Sequence, residues 1–197
     1  MRQGKQAKIL SPTQERIILR HLETTRSPWR DRVIFLLSIK AGRRAKDIAS
    51  LTWGMVTEAE GTIVETLHLE NRASKGNKGG RAIPLHTDLH AALVTLKARR
   101  GAEAIHGQPV IYSERGRGLS EASVQLWFHR LYRTLELAGC SSHSGRRTFI
   151  TRAARKVSEA GGSLRDVQQL AGHASLAMTQ RYIEGGTEAK RKLMALM

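Results

Sequence analysis

Near the carboxy-terminal end of the chain, a phenol, two imidazoles and a guanidinium stand in a regular order. Tyr182 lies nine residues after His173 in the run LAGHASLAMTQRY, and 36 residues before it stands Arg146 in HSGRRTF, three after His143. Such a set suits the breaking and remaking of a phosphodiester. A phenolate can attack phosphorus, fixed cations can hold the charged oxygens, and imidazoles can move protons, with no cofactor required. A guanidinium offers two parallel hydrogen bonds to a phosphate, which an ammonium cannot.

Those side chains need a scaffold and a partner. A chain of 197 residues has room for one domain with short appendages, and at 40% apolar residues it can bury a core. Its 33 Lys and Arg against 17 Asp and Glu leave a net charge of +16. A polyanion is therefore the expected partner, nucleic acid first and an acidic membrane surface second. No apolar run approaches the roughly 18 residues of a membrane span, and MRQGKQAKIL lacks the hydrophobic stretch of a signal peptide. The expectation is a soluble cytoplasmic, nucleoid-associated protein without membrane contact. The single Cys140 excludes an intramolecular disulfide and agrees with a reducing compartment.

The elements can be read from caps and periodicity. Residues 1–10 form a basic arm. Ser11, Pro12 and Gln14 mark a helix start, with Ile17, Ile18 and Leu22 along its apolar face. Pro28 opens a second helix through VIFLLSIK that Gly42 ends, and a short polar helix covers Lys46 to Leu51. Thr62 to Glu70 alternates as a strand, 73–80 is a turn, and Arg81 to Leu85 returns as its antiparallel partner. Thr87, Ser120 and Ser163 cap further helices. The fold class is α+β, mainly helical, with a small antiparallel hairpin near the amino-terminal half. One domain is expected over 11–185, followed by a tail over 186–197 that is amphipathic if helical.

Other chemistries fit less well. Cys140 lies three residues before His143, but no third group supports a thiol nucleophile. His86 and His90 are spaced by four, yet Asp88 does not supply the Glu that a zinc protease carries directly after its first His. SKGNKGG has no Gly-Lys-Ser/Thr at P-loop spacing. Trp53, Trp127 and Tyr132 sit where core packing is the default. Neither a metal nor a cofactor is expected.

Four stretches, in order, resemble the boxes of the tyrosine recombinase and phage integrase family. AGRRAKDIASLTW resembles the first, with Arg44 at the arginine position and Asp47 at the acidic one. SKGNKGGRAIPL resembles the β-hairpin that carries a lysine, with Lys75 ranked before Lys78. HSGRRTF resembles the His-x-x-Arg box, with His143 and Arg146. LAGHASLAMTQRY resembles the last box, with His173 and the nucleophile Tyr182. The resemblance covers residues 11 to 185.

It implies that Arg44 and Arg146 hold the scissile phosphate, His143 acts as base, Lys75 protonates the leaving 5′ oxygen and His173 donates to the phosphate. The product would be a covalent 3′-phosphotyrosine, resealed by a second 5′-hydroxyl without ATP or metal. A free phenol has a pKa of about 10, so adjacent guanidiniums would be needed to favour its phenolate. Asp47 would support the site, and Arg43, Lys46, Lys78, Arg81 and Arg147 would add contacts to double-stranded DNA. The tail would join neighbouring subunits in a homo-tetramer on DNA. Three departures stand out. The chain begins about ten residues before the catalytic domain, with no amino-terminal clamp domain; this fits an excised piece or a compact member of the family. Gly145 replaces a usual Leu, with the expectation that it loosens Arg146. Arg43 replaces an apolar residue. The alternatives are a DNA-binding regulator on the same fold without recombination, and a general basic coating protein.

Overall fold

Cap chemistry sets the first helix. In α1 (Pro12–Leu22) the Ser11 hydroxyl accepts from the Gln14 N–H at 3.2 Å while the Gln14 side chain accepts from the Ser11 N–H at 2.9 Å. Two otherwise orphaned amides are thereby satisfied, with Pro12 preset for the first turn. The computed structural model describes residues 6–69, 81–182 and 194–195, without the side chains of Leu69 and Arg81. Helix α2 (Pro28–Ile39) also starts on proline, and Val33 to Ile39 are all buried. A helix apolar on every side belongs at the centre of a core, where each buried leucine contributes about 1.5–3 kcal/mol.

The remaining elements in chain order are α3 (Ala45–Ala49), β1 (Thr66–Leu69), β2 (Arg81–Pro84), α4 (Thr87–Arg100), α5 (Glu121–Thr134), α6 (Ser144–Lys156), α7 (Leu164–Ala171) and α8 (Leu176–Gln180). The two strands pair antiparallel, with Thr66 opposite Pro84 and Leu67 opposite Ile83. Leu67 and Ile83 are both buried. Helix α4 packs its Leu89, Leu93 and Leu96 stripe on α2, and α5 packs on α3.

Several expectations shift. The strand predicted from Thr62 begins only at Thr66; Ile63 instead makes an isolated bridge to Thr57. The cap of α4 is His86, whose Nδ1 accepts from the Asp88 N–H at 3.1 Å, one residue before the predicted Thr87. Part of the segment expected as an arm is tied down. Lys8 N–H donates to the Gly139 carbonyl at 3.1 Å, and buried Leu10 donates its N–H to Thr148 Oγ1 at 2.8 Å. The chain also divides into two compact units, Met1–Phe149 and Ile150–Met197, where one domain was expected. Among the described residues no helix is long and apolar enough to cross a membrane.

Candidate active site

In the first unit the arginine-bearing turn follows directly from the end of α2. Gly42 adopts φ +62°, and a Cβ there would collide with the Phe149 ring, so only glycine fits without strain. The Gly42 carbonyl accepts from Arg146 Nη1 at 2.6 Å. Thus buried Arg146, on the first turn of α6, is latched to the backbone two residues before Arg44. Asp47 Oδ2 accepts from the Arg44 N–H at 3.2 Å and lies 3.4 Å from Arg43 Nη2. The carboxylate therefore starts α3 and orients the turn, a supporting part reached through backbone. Arg44 itself is exposed.

Arg43 does not sit where the sequence reading put it. It is 1% exposed and lies against Asp47, a buried strut of the turn where an exposed cation was expected. Its neighbour Arg44 points outward because consecutive residues of the extended turn face opposite ways. Gly145 is likewise no loosening element. A Cβ at this position would collide with the Ser38 hydroxyl and lie 2.9 Å from the Ser38 Cβ, so glycine is what lets α6 approach α2. His143 precedes α6, is exposed, and its carbonyl accepts from the Arg147 N–H at 2.9 Å.

In the second unit, α7 ends on Gly172 in the left-handed conformation (φ 61°, ψ 50°), which redirects the chain into His173. The His173 N–H donates to the Gln168 carbonyl at 3.1 Å, and Gln168 Nε2 donates back to the His173 carbonyl at 3.1 Å. The ring is buried, with Nδ1 2.9 Å from Thr179 Oγ1. Tyr182 follows α8, donates its N–H to the Thr179 carbonyl at 3.0 Å, and stacks its ring on His173 with centroids 5.4 Å apart and planes at 23°. Sequence reasoning missed Thr179 and Gln168. Thr179 stood inside the last motif, but nothing in a one-dimensional pattern says that its hydroxyl turns back to the histidine.

The three tyrosines differ in their surroundings. Burial, and then nearby Cys140, push the Tyr132 phenol well above the usual tyrosine range. The Tyr112 ring is covered by Arg100, whose guanidinium carbon lies 3.8 Å from the ring centroid. Lys46 is exposed and Arg147 half-buried. Lys75, Lys78 and nearly all of the 186–197 tail lie outside the described residues, as does the side chain of Arg81. His86 serves as a cap, and His90 Nε2 lies 3.3 Å from the Ile63 carbonyl. Trp53 is in the core, while Trp127 is only half-buried and meets Phe128 edge-on. A cavity of about 1020 Å³ between β1 and α4, lined by His68, His90 and Lys97 among others, contains none of these site residues.

Comparison with known proteins gives a consistent picture. The model of the phage integrase family matches residues 8–188. The chain is 33% identical over 120 residues to a tyrosine recombinase XerC of Brucella suis, covering 60% of this chain and 36% of that protein. It is 34% identical over 157 residues to the XerC of Alcanivorax borkumensis, covering 78% and 47%. The chain thus spans about half or less of the length of these curated relatives. The fold matches that of the Tn1549 transposon integrase in complex with transposon right end DNA, with a TM-score of 0.73 at 20% identity, over 99% of this chain and 67% of that one.

Proposed function

The chain belongs to the phage integrase family, and on that premise we propose that it is a site-specific DNA recombinase that cuts and rejoins duplex DNA through Tyr182. The observation that carries the reading is the half-exposed Tyr182 ring stacked on His173, in a chain whose Tyr132 is buried and held protonated. The Tyr182 phenolate attacks phosphorus in line, forming the phosphotyrosine bond at the 3′ side as the bond to the 5′ oxygen breaks. His143 takes the phenol proton and Lys75 protonates the departing 5′ oxygen. Arg44, Arg146 and His173 stabilise the charge that gathers on the non-bridging oxygens. A second 5′-hydroxyl then attacks the phosphotyrosine and releases Tyr182, so bond count and charge balance without ATP.

DNA as partner is supported by the net charge of +16 and by the DNA-bound structural neighbour. Residues 11–185 are the catalytic domain in this reading, and the 186–197 tail links subunits into a tetramer on two DNA sites. The test is incubation with nicked suicide DNA followed by denaturing electrophoresis. A covalent adduct is expected from the wild type and none from Tyr182→Phe. DNA binding without any adduct would instead identify a regulator on the same fold. Truncation after Gly185 is expected to spare the adduct and abolish paired-site recombination; full recombination by the truncated chain would remove the tail from the assembly.

A further inference from the structure

A buried hydroxyl beside His173 has no part in the chemistry above. Thr179 on α8 is fully buried, with its Oγ1 2.9 Å from His173 Nδ1. A valine would fill the same space without taking a hydroxyl out of water, a cost that only a hydrogen bond offsets. Threonine in a helix can satisfy its hydroxyl on the carbonyl four residues back. This one instead faces a ring six residues back.

The His173 backbone is already clamped by Gln168 from both sides. That clamp sets neither the twist of the imidazole nor the nitrogen that bears its proton. A neutral imidazole has one N–H, and the partner of one nitrogen determines the role of the other. A proton on Nδ1 would leave Nε2 as an acceptor, which a phosphate oxygen repels.

Resting on the recombinase reading, we infer that Thr179 is a positioning residue. Its hydroxyl donates to His173 Nδ1, so the neutral ring carries its proton on Nε2 and offers it to the scissile phosphate. If the ring becomes doubly protonated, the hydroxyl rotates and accepts, and the geometry survives. The same residue meets the nucleophile by a different group, since the Thr179 carbonyl accepts from the Tyr182 N–H at 3.0 Å. A side-chain substitution therefore removes the hydroxyl's hold on Nδ1 and leaves the backbone hold on the tyrosine.

Nitrogen-15 histidine NMR on the full wild-type chain provides the first test, independent of DNA chemistry. The expected result is the Nε2–H tautomer at His173; an Nδ1–H tautomer overturns the inference. Thr179→Val should give mixed tautomers at His173 and form the DNA adduct about tenfold more slowly, the scale on which a histidine's outer partner acts in metal sites. Its affinity for DNA should not change. Thr179→Ser should restore tautomer and rate. A valine variant with the wild-type tautomer and rate, or a serine variant no better than valine, overturns the assignment. Absence of an adduct from the wild type would sink the recombinase reading alone, because the tautomer still decides the part played by Thr179. Should the valine variant fail to fold, the wild-type tautomer decides as well.

Discussion

Arg146 is held by a carbonyl 104 residues away in the chain, whereas His173 is held by partners five and six residues away. The arginine latch exists only once α2, the Gly42 turn and α6 have come together, at the loop-closure cost of bringing distant segments into register. The histidine and tyrosine cluster is assembled within the span from Gln168 to Tyr182. The proposed phosphate clamp is therefore a property of the folded first unit, and the proposed nucleophile a property of a local segment. Damage to the Arg146 latch itself should cost stability together with activity. Damage to the local segment should cost activity alone.

The largest effects test this division directly. Arg44→Ala should slow adduct formation by about 10²–10³-fold while changing stability by less than about 0.5 kcal/mol, as expected of an exposed residue. Arg146→Ala should lose a similar factor in rate and in addition about 1.5–3 kcal/mol of stability, because the charged hydrogen bond to the Gly42 carbonyl is lost. Urea unfolding of the two variants gives the comparison, and equal stability losses would break it. Gly145→Ala comes next. Forcing a methyl against Ser38 should destabilise by about 1–3 kcal/mol and weaken catalysis through a displaced Arg146, whereas a stability equal to wild type would refute the close approach.

The smallest expected effect belongs to the second unit. Asp166 caps α7, and its carboxyl is held below the usual range by the Ser163 N–H at 2.7 Å and then by the Ser163 hydroxyl at 2.9 Å. A carboxyl with a lowered folded value stabilises above its unfolded value, and that contribution disappears as pH falls through the folded one. Protection of the α7 amides against exchange should therefore fall in acid before that of α2, and Asp166→Ala should remove that fall. Simultaneous opening of α7 and α2 would show that the two units are not separately held.

What could be read from the residues follows the same line. The Ser11 capping box, the proline starts of α1 and α2, and the Ser120 and Ser163 caps are local signals, and each helix begins where its signal stands. The short hairpin was visible in the alternation of Leu67 and its neighbours, although its start was misplaced by four residues. Arg43 and Arg44 were indistinguishable as types; which one points inward depends on the direction of a turn that α6 holds from 104 residues away. The meaning of Gly145 was inverted for the same reason, since the Ser38 side chain that forbids a methyl there appears in no local pattern.

That contact also constrains how the sequence can drift. A leucine at position 145 requires more than a smaller residue at 38. Removing the Ser38 side chain would still leave its backbone carbonyl carbon 3.2 Å from the new Cβ, so α2 and α6 would have to part by a few tenths of an ångström. Positions 38 and 145 therefore form a coupled pair: a substitution at either one is acceptable only in company, and lineages that exchanged one should show the trace of having exchanged the other.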